Sequence, residues 1–286
     1  MSSHRSSGFF RSGVLTFVVL VLLATTLWWV GADFYVLPMA KRPDHPMYRK
    51  LSATGTWGLT YGAVGTLLIF TNLLYLVRRK LAAWRLGSLA GWLNLHVVTG
   101  LAGSLLIVFH SAFQVRNGVA AISAVSLAVV VFTGVVGRYL HTLTPTVDTV
   151  RMAKVFLELD ALVPRLGANL RAALKRMPVT RIESHLTLAR ALAKLPRWWR
   201  ESHARRQVMN VTIQGIRRGP PSSSRPSAEK LLRELRQLAV AEVHTVMANS
   251  LLQVWRPMHR FFAISMLLAV AVHIGIAWYY GYRWIF

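Results

Sequence analysis

The sequence predicts an all-α integral membrane protein with five transmembrane helices, and three observations carry that prediction. The apolar residues, 54% of the 286, gather into five long runs. The charge lies between those runs and is lopsided, with 34 Lys and Arg against 10 Asp and Glu, a formal net charge of +24. There is no cysteine at all. Ten Trp, 12 Phe and 8 Tyr in so apolar a chain exclude disorder. The missing thiols exclude disulfides, iron–sulfur clusters, thiolate zinc sites and covalently attached c-type haem. Any cofactor must be held by His, by carboxylates or by packing.

A bilayer core needs roughly 20 mostly apolar residues per helix. The first run, 14–37, opens VLTFVVLVLLATTLWWV and carries one acid, Asp33. Behind Arg5 and Arg11 it also resembles a secretory signal peptide, but no small-x-small cleavage site follows Trp28 and Trp29, so a retained helix is expected. The second run is 57–77, WGLTYGAVGTLLIFTNLLYLV, and the third is 91–115, GWLNLHVVTGLAGSLLIVFHSAFQV. The fourth is 119–140 and the fifth 259–280, HRFFAISMLLAVAVHIGIAWYY.

Short loops on the cytoplasmic side collect Lys and Arg. The loop after the second run holds Arg78, Arg79, Lys80 and Arg85, and residues 141–256 hold 20 Lys and Arg against 8 acids, net +12. Both fall inside if the N-terminus is inside and the C-terminus outside, which places the chain as a multi-pass protein of the inner (cytoplasmic) membrane. Lys41, Arg42, Arg49 and Lys50 then fall in the outer loop, against the trend. The predicted organisation is a membrane domain over 1–140, a basic cytoplasmic helical segment over 141–256, and a fifth span over 257–286 that completes a four-helix bundle. Within the segment, Phe156, Leu159, Val163, Leu166 and Leu170 recur at helical spacing and predict one apolar helical face. GIRRGPPSSSRPS, 215–227, reads as a flexible linker. Ser227 is the expected N-cap of the helix after it, and Pro257 the expected bend or start of the last span.

Four of the ten histidines lie inside spans: His96 and His110 in the third, His259 and His273 in the fifth. Each pair is separated by 14 residues. On a helix that rotation falls about 40° short of four full turns, so both rings face one side, about 21 Å apart along the axis. Buried structural histidines are the bland alternative. Two spans agreeing on this spacing is roughly a one-in-a-thousand coincidence for spans of this length, and ionisable groups are costly in lipid. The third and fifth spans both start on the cytoplasmic face, which sets His96 level with His259 and His110 level with His273. Two facing neutral imidazoles suit the axial positions of a low-spin haem iron. Zinc or copper normally needs three or four ligands at one level, and the four bundle spans contain no Asp, Glu, Cys or further His. Two b haems are the simpler expectation.

Gly100 and Gly103 fall on the histidine face between the two levels, where a flat macrocycle needs close backbone or where a neighbouring helix packs. A second ridge, Gly55, Gly58, Gly62 and Gly65, carries the same two readings, with packing favoured. Arg116 and Arg283 on the outer side, and Arg138, Arg256 and Arg260 on the inner, are candidate propionate partners or simple interfacial anchors.

The arrangement H96-VVTGLAGSLLIVF-H110 with H259-RFFAISMLLAVAV-H273 resembles the di-haem b-type transmembrane cytochromes, a class that includes cytochrome b and the ferric-reductase-like membrane subunits. The stretches GVVGRYL, 134–140, and WRPMHRFF, 255–262, also resemble segments of bacterial b-type cytochrome subunits. The resemblance implies that the four histidines are the axial ligands. It covers the second to fifth spans, under half of the chain. The flavin and nicotinamide domain of ferric reductases has no counterpart, since 141–256 lacks a Gly-rich dinucleotide fingerprint.

The expected function is therefore transmembrane electron transfer within a respiratory or other redox complex, between a quinone pool or cytoplasmic donor and an outer redox partner. No bond-making catalytic residue is required. A haem-binding membrane subunit of a reductase, with its flavin or metal on a separate chain, is the second reading. A non-redox anchor or scaffold is the third. Nucleic-acid binding through the basic segment, with Trp198 and Trp199, is disfavoured, because positive-inside bias already explains most of the charge; anionic lipid headgroups or an acidic partner suit it better.

Overall fold

Helices account for every regular element that the computed structural model describes, and no strand occurs among the described residues, which are 3–80, 87–115, 117–144, 148–177, 179–180, 187–219 and 223–280. In chain order they are α1 (Ser3–Tyr35), a 3-10 turn (Met39–Asp44), α2 (Tyr48–Leu51), α3 (Thr56–Lys80), α4 (Leu89–His110) and α5 (Gly118–Thr142). There follow α6 (Thr149–Leu162), α7 (Leu166–Arg176), α8 (Leu188–Ala193), α9 (Leu195–Arg218) and α10 (Arg225–Tyr279). Five helical stretches are long and apolar enough to cross a membrane: Gly13–Tyr35, Tyr48–Arg78, Leu89–His110, Gly118–Thr142 and Arg225–Tyr279. Large apolar side chains along them are exposed, Phe17, Leu67, Phe132 and Leu268 among them, which is how helices bounded by hydrocarbon look.

The chain divides into two compact units, Met1–Gly134 with Phe262–Phe286, and Val135–Phe261. In the first, α3 and α4 pack most extensively. Their backbones approach at Gly65 and Gly103, where a Cβ on Gly103 would lie 2.7 Å from the Gly65 carbonyl oxygen. Thr99 Oγ1 donates to Asn72 Oδ1 at 2.8 Å across the same pair. Ile69 of α3, Leu127 of α5 and Met266 of α10 form a core cluster, with Ile107 of α4 packed against it, so four helices meet there. Ser123 Oγ of α5 donates to the Ala269 carbonyl of α10 at 3.1 Å. A second cluster joins Leu27, Phe34 and Tyr35 of α1 to Leu51 of α2 and to Leu106, Phe109 and Ala112 at the end of α4.

The Val135–Phe261 unit has its own core, drawn from four helices: Val155, Phe156 and Leu159, then Leu170 and Leu174, Met209 and Ile213, and Leu232, Leu235 and Ala239. The single apolar helical face predicted over 156–170 is instead split between α6 and α7. Pro164 disfavours helical backbone at Val163, which is extended (φ −137°, ψ 107°), and Arg165 follows with φ 65°. The reversal folds α7 back onto α6, and Phe156, Leu159 and Leu170 still share one core.

Two further expectations are corrected. The predicted linker 215–227 shrinks, because α9 runs to Arg218 and α10 begins at Arg225, ahead of the expected cap at Ser227. Of the two readings of Pro257, a helix start is overturned: α10, 55 residues and about 80 Å long, continues through it. Proline there removes the bond to the Gln253 carbonyl, but the helical flanks on both sides carry the chain across.

Candidate functional site

His110 is the last residue of α4, and α3 holds its ring. Its Nδ1 lies 2.8 Å from the Gly58 carbonyl oxygen. A carbonyl only accepts, so Nδ1 carries the proton and Nε2 keeps its lone pair. The ring lies against Gly62, where a Cβ would come within 2.8 Å of Nδ1, so a side chain at 62 would displace it. His273 on α10 is close enough to His110 to interact with it electrostatically.

Just beyond His110 the chain takes left-handed backbone at Ala112 (φ 48°) and Phe113 (φ 60°), costly for residues with a Cβ. Arg42 clamps this turn. Its side chain, 6% exposed, donates to the carbonyls of Ala112 (2.7 Å), Tyr35 (2.7 Å) and Leu37 (2.9 Å) and lies over the Phe34 ring. One guanidinium therefore caps the C-terminal ends of both α1 and α4, where carbonyls lack partners and the helix dipole is negative. Sequence reasoning registered Arg42 only as a cation on the wrong side. That misfit was the available signal, since a buried cation with backbone partners is exempt from a charge bias. Nearby, the Tyr35 hydroxyl is buried without a hydrogen-bond partner among the described residues, and Tyr61 lies within electrostatic reach.

His96 also lies on the α3 side of α4. Its ring is 5.4 Å from that of Tyr75 and contacts the Asn72 backbone carbonyl, while its Nδ1 is buried without a partner among the described residues. His259 stacks on Trp255 of its own helix at 4.9 Å and 15°. The Trp255 ring in turn lies against Gly137 of α5, with no room for a Cβ there. α5 and α10 therefore approach closely at Gly137 and Trp255. His96 and His259 belong to different units.

The glycines face α3 and α4 mutually. A Cβ on Gly100 would meet the Asn72 amide at 3.2 Å, and Gly65 and Gly103 meet each other. Arg138 and Arg256 both come within electrostatic reach of His141. Arg260 Nε turns back to the Arg256 carbonyl at 3.4 Å. Arg116 and Arg283 lie outside the described residues. Among the described residues no group of three or more His, Cys, Asp or Glu could hold a metal ion. The Gly58 carbonyl on His110 Nδ1 is the kind of outer support that a metal-bound His usually has.

Trp198 is removed from any base-stacking role, being 1% exposed with Nε1 bonded to the Thr180 carbonyl at 2.8 Å; Trp199 is exposed and stacks on His203. No protein-family model, no curated protein and no solved structure is detectably similar to the chain.

Proposed function

We propose that the chain is an electron-transfer subunit of a membrane redox complex, holding two b haems through His110 with His273 and His96 with His259, and exchanging electrons with a quinone pool and partner subunits. The observation that carries this reading is the His110 arrangement: an imidazole whose Nδ1 is tied to the Gly58 carbonyl, with His273 near enough to interact with it electrostatically. A histidine kept only for packing needs no second histidine in reach, and two ionisable rings in an apolar bundle are costly without a shared purpose.

When bound, haem would supply the one-electron couple. The chain's own part is to present neutral imidazoles, to fix their tautomer and to exclude water. Gly58 does the second for His110 through its carbonyl, and the Ile69, Leu127 and Met266 cluster contributes to the third. Gly62 leaves the ring its space. At the other level, Trp255 restricts how the His259 ring can turn.

A dithionite-reduced-minus-oxidised spectrum of the purified protein, with pyridine haemochrome quantitation, tests the reading. Two b haems per chain are expected, and their absence returns the chain to the non-redox anchor class. His110→Ala and His273→Ala should each lose the same haem signal, and His96→Ala and His259→Ala the other. Loss of one common signal by His110→Ala and His259→Ala would refute the pairing by level.

A further inference from the structure

A cleft of about 570 Å³ opens in the Val135–Phe261 unit between the end of α5, α9 and the first half of α10. Arg206, Arg236 and His244 line it, with Thr142, Gln237 and three apolar side chains, Leu143 among them. Among the described residues no carboxylate contributes to the lining.

That absence is not a matter of chance placement, because the unit's described acids are committed elsewhere. Glu158 and Glu234 hold Arg151, Glu229 binds Arg217 and Arg233, and Glu242 binds Arg205. Asp148 caps α6 through the Arg151 amide, Asp160 accepts from the Ala168 amide, and Glu201 from Thr180. Arg206 and Arg236 thus have no carboxylate partner among the described residues. Arg236 NH1 is held by Asn210 Oδ1 at 2.8 Å, which fixes its direction and leaves its charge intact. His244 is near enough to Arg206 to feel that charge. Two guanidiniums and an imidazole around one opening leave charge that nothing in the lining neutralises. The cleft also lies where the apolar run of α5 gives out, since that run ends at Leu140 and Thr142 is the last residue of the helix.

We infer that this cleft binds a phosphate-bearing anion. Guanidiniums match phosphate oxygens in a forked, bidentate way, and neutral Gln237 and Thr142 add donors that hold an oxygen without competing for it. Leu143 and its apolar neighbours beside the charged groups suit an anionic lipid, with its headgroup on the arginines and its chains toward the end of α5. A free phosphate compound would use the same arginines without the apolar wall. This inference does not depend on haem, and its test reads no cofactor.

The full chain in neutral detergent is probed with dioleoyl-phosphatidylglycerol, with dioleoyl-phosphatidylcholine and with inorganic phosphate, by native mass spectrometry for the lipids and calorimetry for phosphate. Saturable retention of phosphatidylglycerol over phosphatidylcholine, without phosphate binding, assigns the cleft to a lipid headgroup. Phosphate binding that competes with the lipid assigns it to phosphate in general, with soluble ligands included. In either case Arg206→Gln with Arg236→Gln should weaken binding about tenfold or more. Arg190→Gln with Arg200→Gln, which removes the same charge from exposed positions outside the cleft, should leave it unchanged. Circular dichroism confirms that both double variants keep their helix content. Equal loss in the two double variants, or no binding of either anion to the parent chain, overturns the inference.

Discussion

Arg42 shows how far a single side chain can set the end of a membrane helix. Its three carbonyl partners come from residues 35, 37 and 112, so one cation closes two helix termini and the left-handed turn after His110. Replacing it by Gln leaves buried carbonyls unsatisfied and releases that turn. Arg42→Gln is expected to destabilise the protein by about 3 kcal/mol or more, read as a lower melting temperature by circular dichroism in detergent. Arg42→Lys should recover only part of this, because an ammonium cannot reproduce the fork. Gly62 acts in the opposite way, by absence. Gly62→Val places carbon where the His110 ring lies, and should remove the His110-dependent haem signal while leaving the other. A difference spectrum with both signals intact would show that Gly62 does not hold that ring in place. The histidine spacing was legible in the sequence because 14 residues nearly complete four turns. Arg42 and Gly58 were not, because their partners lie 70 and 52 residues away.

At the level of elements, α6 and α10 are joined by the fork of Arg151 on Glu234, at 2.6 and 2.7 Å, with Glu158 a second acceptor at 3.0 Å. The Arg151 hydrogen bonds and charge hold the Glu234 carboxyl below the usual carboxylate range. A carboxylate whose folded pKa is depressed stabilises the fold above its unfolded value, about 4.3, and loses that contribution as pH falls through the folded one. Glu234→Gln should therefore melt earlier than the parent chain at pH 7, with the gap closing as the pH is taken below 4. A gap that persists unchanged into strong acid would show that the pair is packing rather than charge. The break between α6 and α7 was within reach of the sequence, since Val163-Pro164 is a poor continuation of a helix. The apolar periodicity ran straight over it, because residues on both sides serve the same core. Continuity of α10 through Pro257 is the converse case, in which the local breaker is overridden by the helical stretches flanking it.

For the whole molecule, the net charge of +24 resolves into parts with different tasks. Arg42 is a buried cap, Arg151, Arg205 and Arg217 are paired with acids, and Arg206 and Arg236 remain around an acid-free cleft. Hydropathy and charge along the chain were sufficient for the helical class, the five apolar helices and the basic segment between the fourth and fifth. Each of those rests on residues close in sequence, and helix pitch and bilayer thickness convert local pattern directly into local structure. The repeated histidine spacing belongs to the same category. What only the tertiary structure decided is which residues meet across long separations: the Gly58 carbonyl with His110, Gly137 with Trp255, Arg42 with the end of α4, and the arginines of α9 and α10 around one cleft. Such meetings depend on how helices lie side by side, and a periodicity of 3.6 residues says which face of a helix is apolar but not which neighbour will cover it.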